Sequence, residues 1–237
     1  MPLTEMRESR AFVQEMKFLV SPEQAEGIRE WARANLSPDA HAGGAAGDEY
    51  RVTSLYLDTE DMAVFERRGS YGRSKYRVRR YGASDLIFLE RKLKTRNRVG
   101  KIRSIVDAGE LALLERGESP KKWAGHWFHQ RVRVRGLAPV CQISYSRMAR
   151  MGMSESGPIR LTVDEDLRAT PVSRYAFSPV DGGTVLSPEQ RILELKYKAE
   201  IPGLFKELMQ KFDLQPQPSS KYRLAVAALE LKLCLTS

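Results

Sequence analysis

The chain has 237 residues, 42% hydrophobic and 29% charged, with 39 Lys and Arg against 30 Asp and Glu and a formal net charge of +9. That length and apolar fraction suit one large domain or two small ones with a real core, and exclude a disordered, collagen-like or disulfide-stapled chain. No apolar run approaches the roughly 20 residues that cross a bilayer, and the opening MPLTEMRESRAFVQEMKF lacks a continuous apolar segment of the secretory kind, so a soluble cytoplasmic protein with no membrane segment is expected.

A strand is predicted from about Phe12 to Val20. A helix follows, with Ser21 as N-cap, Pro22 in the first turn beside Glu23 and Gln24, and an end near Leu36. Ser37 to Glu49 reads as a Gly/Ala-rich surface loop that matches neither a Walker loop nor a dinucleotide fingerprint. Tyr50 to Asp58 alternates as a strand, and TEDMAVFERRG predicts a short helix closed by Gly69.

Three basic strands come next. Between Arg67 and Arg103 there are 14 basic residues against two acidic ones, whereas the rest of the chain carries 25 against 28. In SKYRVRRYG, Lys75, Arg77 and Arg79 alternate with Tyr76 and Val78; in LIFLERKLKTR, Glu90, Lys92 and Lys94 share one parity; in GKIRSIV, Lys101 and Arg103 share one. A strand sends alternate side chains to opposite faces, so each of these has a cationic face. Like charges on neighbouring strands repel unless carboxylates or a polyanion neutralise them, so an anionic ligand is expected.

Helices are predicted over DAGELALLERG and from about Lys121 to Arg133, the latter carrying Trp123, Trp127 and Phe128. Strands are predicted at PVCQISYSRMARM, PIRLTVDEDL and RILELKYK, then helices at GLFKELMQKF and about Lys221 to Leu233. The later strands repeat the charged parity, with Tyr145 and Arg147; Arg160, Thr162, Asp164 and Asp166; and Glu194, Lys196 and Lys198. Without βαβ alternation, linker or repeat, one α+β domain spanning 1–237 around an antiparallel sheet is the expected fold. A charged face on nearly every strand cannot enter an ordinary core, because unpaired buried charges cost several kcal/mol each. A closed barrel or tunnel with a wet, charged lumen and helices outside satisfies both faces.

Other chemistries find little support. His41, His126 and His129 read as core or surface residues rather than metal ligands. HExxH, GxSxG, GxGxxG and GxxxxGK[ST] are absent, and Cys141 and Cys234 lack CxxC spacing and read as buried small hydrophobes. Many Arg and Lys with a few Glu remain, a set suited to positioning phosphates and holding Mg²⁺ or Mn²⁺. Arg67, Arg68, Arg131, Arg133 and Arg135 read as solvated or phosphate-contacting surface residues.

The segments QEMKFLV, SLYLD, SKYRVRRYG, FLERKLK, VGKIR, SYSRMA, RLTVDEDL, ILELKY and SSKYRLA, in this order, resemble the VTC domain. This is the polyphosphate polymerase domain of the vacuolar transporter chaperone complex, within the triphosphate tunnel metalloenzyme superfamily. The resemblance implies an antiparallel β tunnel in which the ATP γ-phosphate passes to a growing polyphosphate chain with a divalent metal. It implies phosphate ligation by Lys17, Arg77, Arg79, Lys92, Lys101, Arg147, Arg160 and Lys221, and metal binding by Glu194, with Lys196 beside it. Arg77, Arg79, Lys92 and Glu194 are the expected catalytic set. Alternation alone adds Lys75 and Arg103.

The superfamily's opening ExExK reads Val13-x-Glu15-x-Lys17 here, leaving Glu15 as the remaining metal carboxylate and arguing against a plain triphosphate hydrolase. Pro218 stands where the fungal polymerase has a second lysine, three residues before Lys221. ATP, polyphosphate and pyrophosphate or triphosphate are the expected partners. An inorganic triphosphatase and a non-catalytic binder of polyphosphate or nucleic acid are the rival readings. Nucleic acid is not expected, because several of Tyr71, Tyr76, Tyr81 and Phe88 fall on the apolar parity rather than offering a stacking surface.

Overall fold

The first strand, β1 (Arg10–Val20), ends at Ser21, whose hydroxyl accepts from the Gln24 N–H at 3.2 Å while Gln24 Oε1 accepts from the Ser21 N–H at 3.1 Å. With Pro22 in the first turn, this reciprocal cap starts α1 (Pro22–Asn35) where the sequence predicts it. The computed structural model describes residues 10–39, 47–95 and 98–231. After α1 come β2 (Ser37–Pro38), β3 (Glu49–Asp58), α2 (Ala63–Glu66), a 3₁₀ turn (Gly69–Arg73), β4 (Ser74–Tyr81), β5 (Leu86–Thr95) and β6 (Arg98–Asp107). A second 3₁₀ segment (Ala108–Glu115), α3 (His126–Val134), β7 (Ala138–Ser154), β8 (Gly157–Pro171), β9 (Thr184–Val185), β10 (Arg191–Tyr197), α4 (Gly203–Lys211) and α5 (Lys221–Ala228) complete the order.

Among the described residues, ten strands form one sheet in the order β2-β7-β3-β4-β5-β6-β1-β10-β8-β9. A further antiparallel β7–β8 pairing, from Cys141↔Pro171 to Ser154↔Gly157, joins strands near its two ends, so hydrogen-bonded neighbours run from β7 around to β8 and back. The expected closed barrel is met only loosely: β1 meets β6 at Arg10↔Lys101 and Val13↔Val99 with an irregularity between them.

The apolar parity faces outward and is covered by helices. Phe18, Leu161, Leu193 and Leu195 of the wall pack with Ile28 and Ala32 of α1 and Phe205 and Leu208 of α4. Val78, Ile87 and Leu89 share a second core with Phe128 and Val132 of α3. Burial of each such side chain stabilises the domain by about 1.5–3 kcal/mol.

Three element predictions are corrected. DAGELALLERG is a 3₁₀ segment rather than an α-helix; its buried leucines, Leu111 and Leu114, lie three apart and share a face at three residues per turn. The helix expected from Lys121 begins only at His126. Residues 121–125 form turns instead, with the Trp123 ring lying over Gly125, where an added Cβ would sit 2.4 Å from it. Asp166 leaves the parity of Arg160, Thr162 and Asp164, because β7 and β8 change register between Ser144 and Ser146 and Asp166 takes a φ of 47°. It pairs instead with Arg51 at 2.7 Å and Arg168 at 3.0 Å. Cys141 is fully buried, as expected; Cys234 and His41 lie outside the described residues. His129 is buried, with Nδ1 3.0 Å from Ser119 Oγ and Nε2 2.9 Å from the Arg116 carbonyl.

The buried Asp58 carboxylate ties three elements together. It accepts from the Val64 N–H at 2.7 Å and the Phe65 N–H at 2.9 Å in α2, and from the Tyr222 hydroxyl in α5. Asp58→Ala is expected to lower unfolding free energy by about 2–4 kcal/mol and Tyr222→Phe by about 1 kcal/mol, read by urea denaturation. Equal stability of Asp58→Ala and the native chain would show that this anchor does not hold α2 and α5.

Candidate functional site

Residues directly opposite each other in an antiparallel pair share a face, so the interior can be followed rung by rung. Tyr56 faces Arg77, Arg77 faces Glu90, and Glu90 faces Arg103 across β3, β4, β5 and β6. On the next rung of the same strands Lys75 faces Lys92 and Lys92 faces Lys101. On the other side Glu15 faces Lys196, Lys17 faces Glu194, Lys196 faces Arg160 and Asp164 faces Arg147. Lys92 Nζ reaches Glu15 at 2.9 Å, linking β5 to β1 across the loose seam. Lys221, from α5, enters the same interior.

Three carboxylate centres organise these cations. Glu90, with no exposed surface, accepts from Arg77 Nε at 2.6 Å, Arg103 Nε at 2.8 Å and Lys101 Nζ at 2.9 Å. Burial pushes its carboxyl up, but Arg77, Arg79, Lys101 and Arg103 outweigh that and hold it well below the usual range. Asp164 takes Arg147 in a two-point grip at 2.6 and 2.7 Å and Lys221 at 2.6 Å; against the upward push of burial, these cations bring it down to about 2.

The third centre is the pair Glu15 and Glu194. Lys17 lies 3.4 Å from Glu15 and 3.5 Å from Glu194, and Lys196 lies 3.8 and 2.7 Å from them. Burial works against ionisation of Glu194, and Lys196, Lys17 and Lys92 overcome it.

Among the described residues, Arg79 and Lys75 have hydroxyl rather than carboxylate partners. Arg79 donates to Ser54 Oγ at 2.9 Å and the Tyr145 hydroxyl at 3.3 Å, and Lys75 to Ser220 Oγ at 2.7 Å. Arg160 shares the inner face yet turns to Asp39 and the Tyr50 hydroxyl, both at 2.7 Å.

Among the described residues the interior therefore places Lys17, Lys75, Arg77, Arg79, Lys92, Lys101, Arg103, Arg147, Lys196 and Lys221 around Glu15, Glu90, Asp164 and Glu194. The carboxylate side chains are at most 8% exposed, while Arg77 and Arg103 keep 15% and Lys92 and Lys196 keep 25% and 29%. Arg79, Arg147 and Lys221 are as buried as the carboxylates, so the exposed cationic surface belongs to the others. Burial pushes Lys75, Lys92 and Lys101 down to about 8, and neighbouring cations add to the effect. The same field acts oppositely on phenols: burial raises Tyr56 and Tyr81, yet nearby arginines bring them down to about 8 and about 7.

The donor set fits a hard divalent ion. Burial and the neighbouring Glu194 both push the Glu15 carboxyl up, while Lys92, Lys196 and Lys17 hold it below its ordinary value. Mg²⁺ and Mn²⁺ accept one or two carboxylates together with phosphate oxygens and water. Among the described residues no group of three or more His, Cys, Asp or Glu is arranged as a metal cage.

Sequence reasoning assigned no role to Glu90, Asp164, Tyr56 or Tyr145, and grouped Tyr81 with aromatics set against a stacking surface, whereas it lies beside Arg79 and Arg103 on the charged face. The parity that nominated their cationic neighbours carries Glu90 and Asp164 too, so both were within its reach. Of the arginines set apart as surface residues, Arg131 and Arg133 are exposed and Arg68 pairs with Asp61 at 2.7 Å.

A putative adenylate cyclase from Bacillus halodurans has a similar structure, with TM-score 0.56 at 18% identity, covering 88% of this chain and 93% of that one. A putative adenylyl cyclase from Hippeastrum, described as having a dominant triphosphatase activity, gives TM-score 0.52 at 14% identity, covering 92% and 96%. At these identities the likeness shows the fold. No curated protein matches the chain in sequence. The family model of the VTC domain matches residues 12–230, from β1 through α5. With its ring of antiparallel strands and inward-facing charge, the chain belongs to the VTC domain family.

Proposed function

We propose that this protein is an ATP-dependent polyphosphate polymerase that transfers the γ-phosphoryl group to the end of an inorganic polyphosphate chain inside the bore. The observation that carries this reading is the excess of cations over carboxylates in a single interior, with Arg77, Lys92, Arg103 and Lys196 keeping exposed surface while the carboxylates keep almost none. Such a space favours a linear polyanion over a neutral or cationic substrate.

In the proposed step a terminal oxygen of the acceptor chain attacks the γ-phosphorus, the bridge to the β-phosphate breaks, and ADP leaves with the bonding pair. Protein groups have little covalent work to do, and alignment with charge stabilisation supplies most of the barrier reduction. Arg77 and Arg79 would grip non-bridging oxygens of the transferring group. Lys92 would follow its charge, and Glu194 with Glu15 would hold a Mg²⁺ or Mn²⁺ ion. That ion, when bound, would neutralise phosphate oxygens. Lys17, Lys75, Lys101, Arg103, Arg147, Lys196 and Lys221 would hold the rest of the nucleotide and chain. Arg160, turned to Asp39, would join them only by exchanging that partner. With ATP as donor, the cytoplasm is the proposed location; among the described residues no helix is long and apolar enough to cross a membrane.

Hydrolysis is the second reading, favoured by the triphosphatase activity described for the Hippeastrum protein of the same fold. The family match and Val13 in place of the superfamily's first glutamate support polymerisation. Incubation with ATP and Mn²⁺ followed by a polyphosphate gel separates the two: a ladder of chains is expected, and orthophosphate without chains would refute the polymerase.

Arg77→Ala and Glu194→Gln are each expected to lower chain synthesis by about a hundredfold or more with the far-UV spectrum retained. Full activity in either folded variant would remove that residue from the catalytic set. Lys75 and Lys101, pushed down to about 8, are charged at pH 7 and lose their protons as pH rises. Tripolyphosphate affinity, measured calorimetrically at fixed ionic strength, should therefore fall about tenfold or more from pH 7 to 9. Constant affinity across that range would show that these lysines do not meet the ligand.

A further inference from the structure

The wall that carries Lys75 and Lys92 on its inner side carries a cationic cavity on its outer side. The rung next to Lys75↔Lys92 is Ser74↔Leu93, which faces outward. Ser74 and Leu93, with Arg91 from the same face, line a cavity of about 440 Å³ together with Ser70 and Arg73 of the 3₁₀ turn and Arg135 at the end of α3. Its size lies within the roughly 300–1,000 Å³ range typical of small-molecule sites.

The three arginines are positioned rather than merely solvated. Arg91 donates through Nε and Nη2 to Ser74 Oγ at 3.3 and 3.1 Å. Arg135 lies 4.1 Å over the Tyr71 ring and donates through Nη2 to Ser70 Oγ at 3.1 Å, while its buried Nε has no hydrogen-bond partner. Arg73 is exposed at the mouth. No carboxylate lines the cavity, and none of the three is ion-paired among the described residues. By contrast, even the largely exposed Arg174 pairs with Glu115 at 3.2 Å.

Three unneutralised guanidinium groups around one cavity repel one another, and two are fixed in place by hydroxyls and an aromatic ring. A multivalent anion with several oxygens in fork-like arrangement would complete this set, as linked phosphates do. We infer that the cavity between the Gly69–Arg73 turn, β4, β5 and α3 is a second phosphoanion site, separate from the bore. The occupant is a free di- or triphosphate or a segment of a phosphate chain passing outside the wall. The inference holds for either reading of the bore.

Calorimetric titration with pyrophosphate, and separately with long-chain polyphosphate, tests it in the native protein, Arg91→Gln/Arg135→Gln and Arg73→Gln. With a free phosphoanion as occupant, pyrophosphate shows two binding classes in the native protein. The double variant loses one and leaves the other unchanged, and Arg73→Gln weakens the lost class about tenfold or more. With a chain segment as occupant, the pyrophosphate titrations stay alike and the two variants weaken long-chain polyphosphate by a similar factor. Native-like isotherms for both probes in both variants overturn the site. Arg73 is exposed, so Arg73→Gln decides if the double variant does not fold: weakening of either probe supports the site, and native-like titrations with both overturn it.

Discussion

Burying charge on one face of every strand is the constraint to which the rest of this structure answers. An isolated charge inside an ordinary core costs several kcal/mol, and the interior here carries far more cations than carboxylates. Wrapping the strands into a ring resolves the conflict. The apolar parity turns outward under α1, α3 and α4, and the charged parity turns toward a shared space in which the cation tips remain partly exposed. A sandwich would have had to press those faces against another layer.

The few carboxylates are placed where they hold several cations at once. Glu90 gathers Arg77, Lys101 and Arg103, and Asp164 gathers Arg147 and Lys221. The guanidinium and ammonium groups are thereby ordered before a ligand arrives, which lowers the cost of fixing them around a polyanion. The remaining imbalance appears in the protonation of the bore itself, with buried lysines pushed down and phenols brought down by the same field. A phosphate chain would relieve both.

Period-two alternation made Lys75, Arg77, Arg79, Lys92, Lys101 and Arg103 legible as one face before any coordinates, because a strand has no other way to arrange alternate side chains. The same logic misplaced Asp166, since a register shift between strands resets parity and leaves no signal in composition. Trp123 shows another limit: its ring lies over Gly125 against the core that contains Leu89, a strand residue more than thirty positions earlier, so its surroundings are not local in sequence. Lys221 was named from family resemblance alone, because nothing local shows that a helix N-terminus enters a bore.

From its residues alone, this chain determined that charged strands must enclose a polar space and which side chains line each strand, because alternation is a local property of extended backbone. Tertiary structure decided which charges meet. Glu15 and Lys92 are 77 residues apart and Arg160 meets Asp39 across more than a hundred, so both contacts depend on strand order and register. The outer cavity has the same origin. Arg73, Arg91 and Arg135 come from a turn, a strand and a helix end, and only packing of those elements brings three guanidinium groups, without an ion pair among the described residues, around one opening.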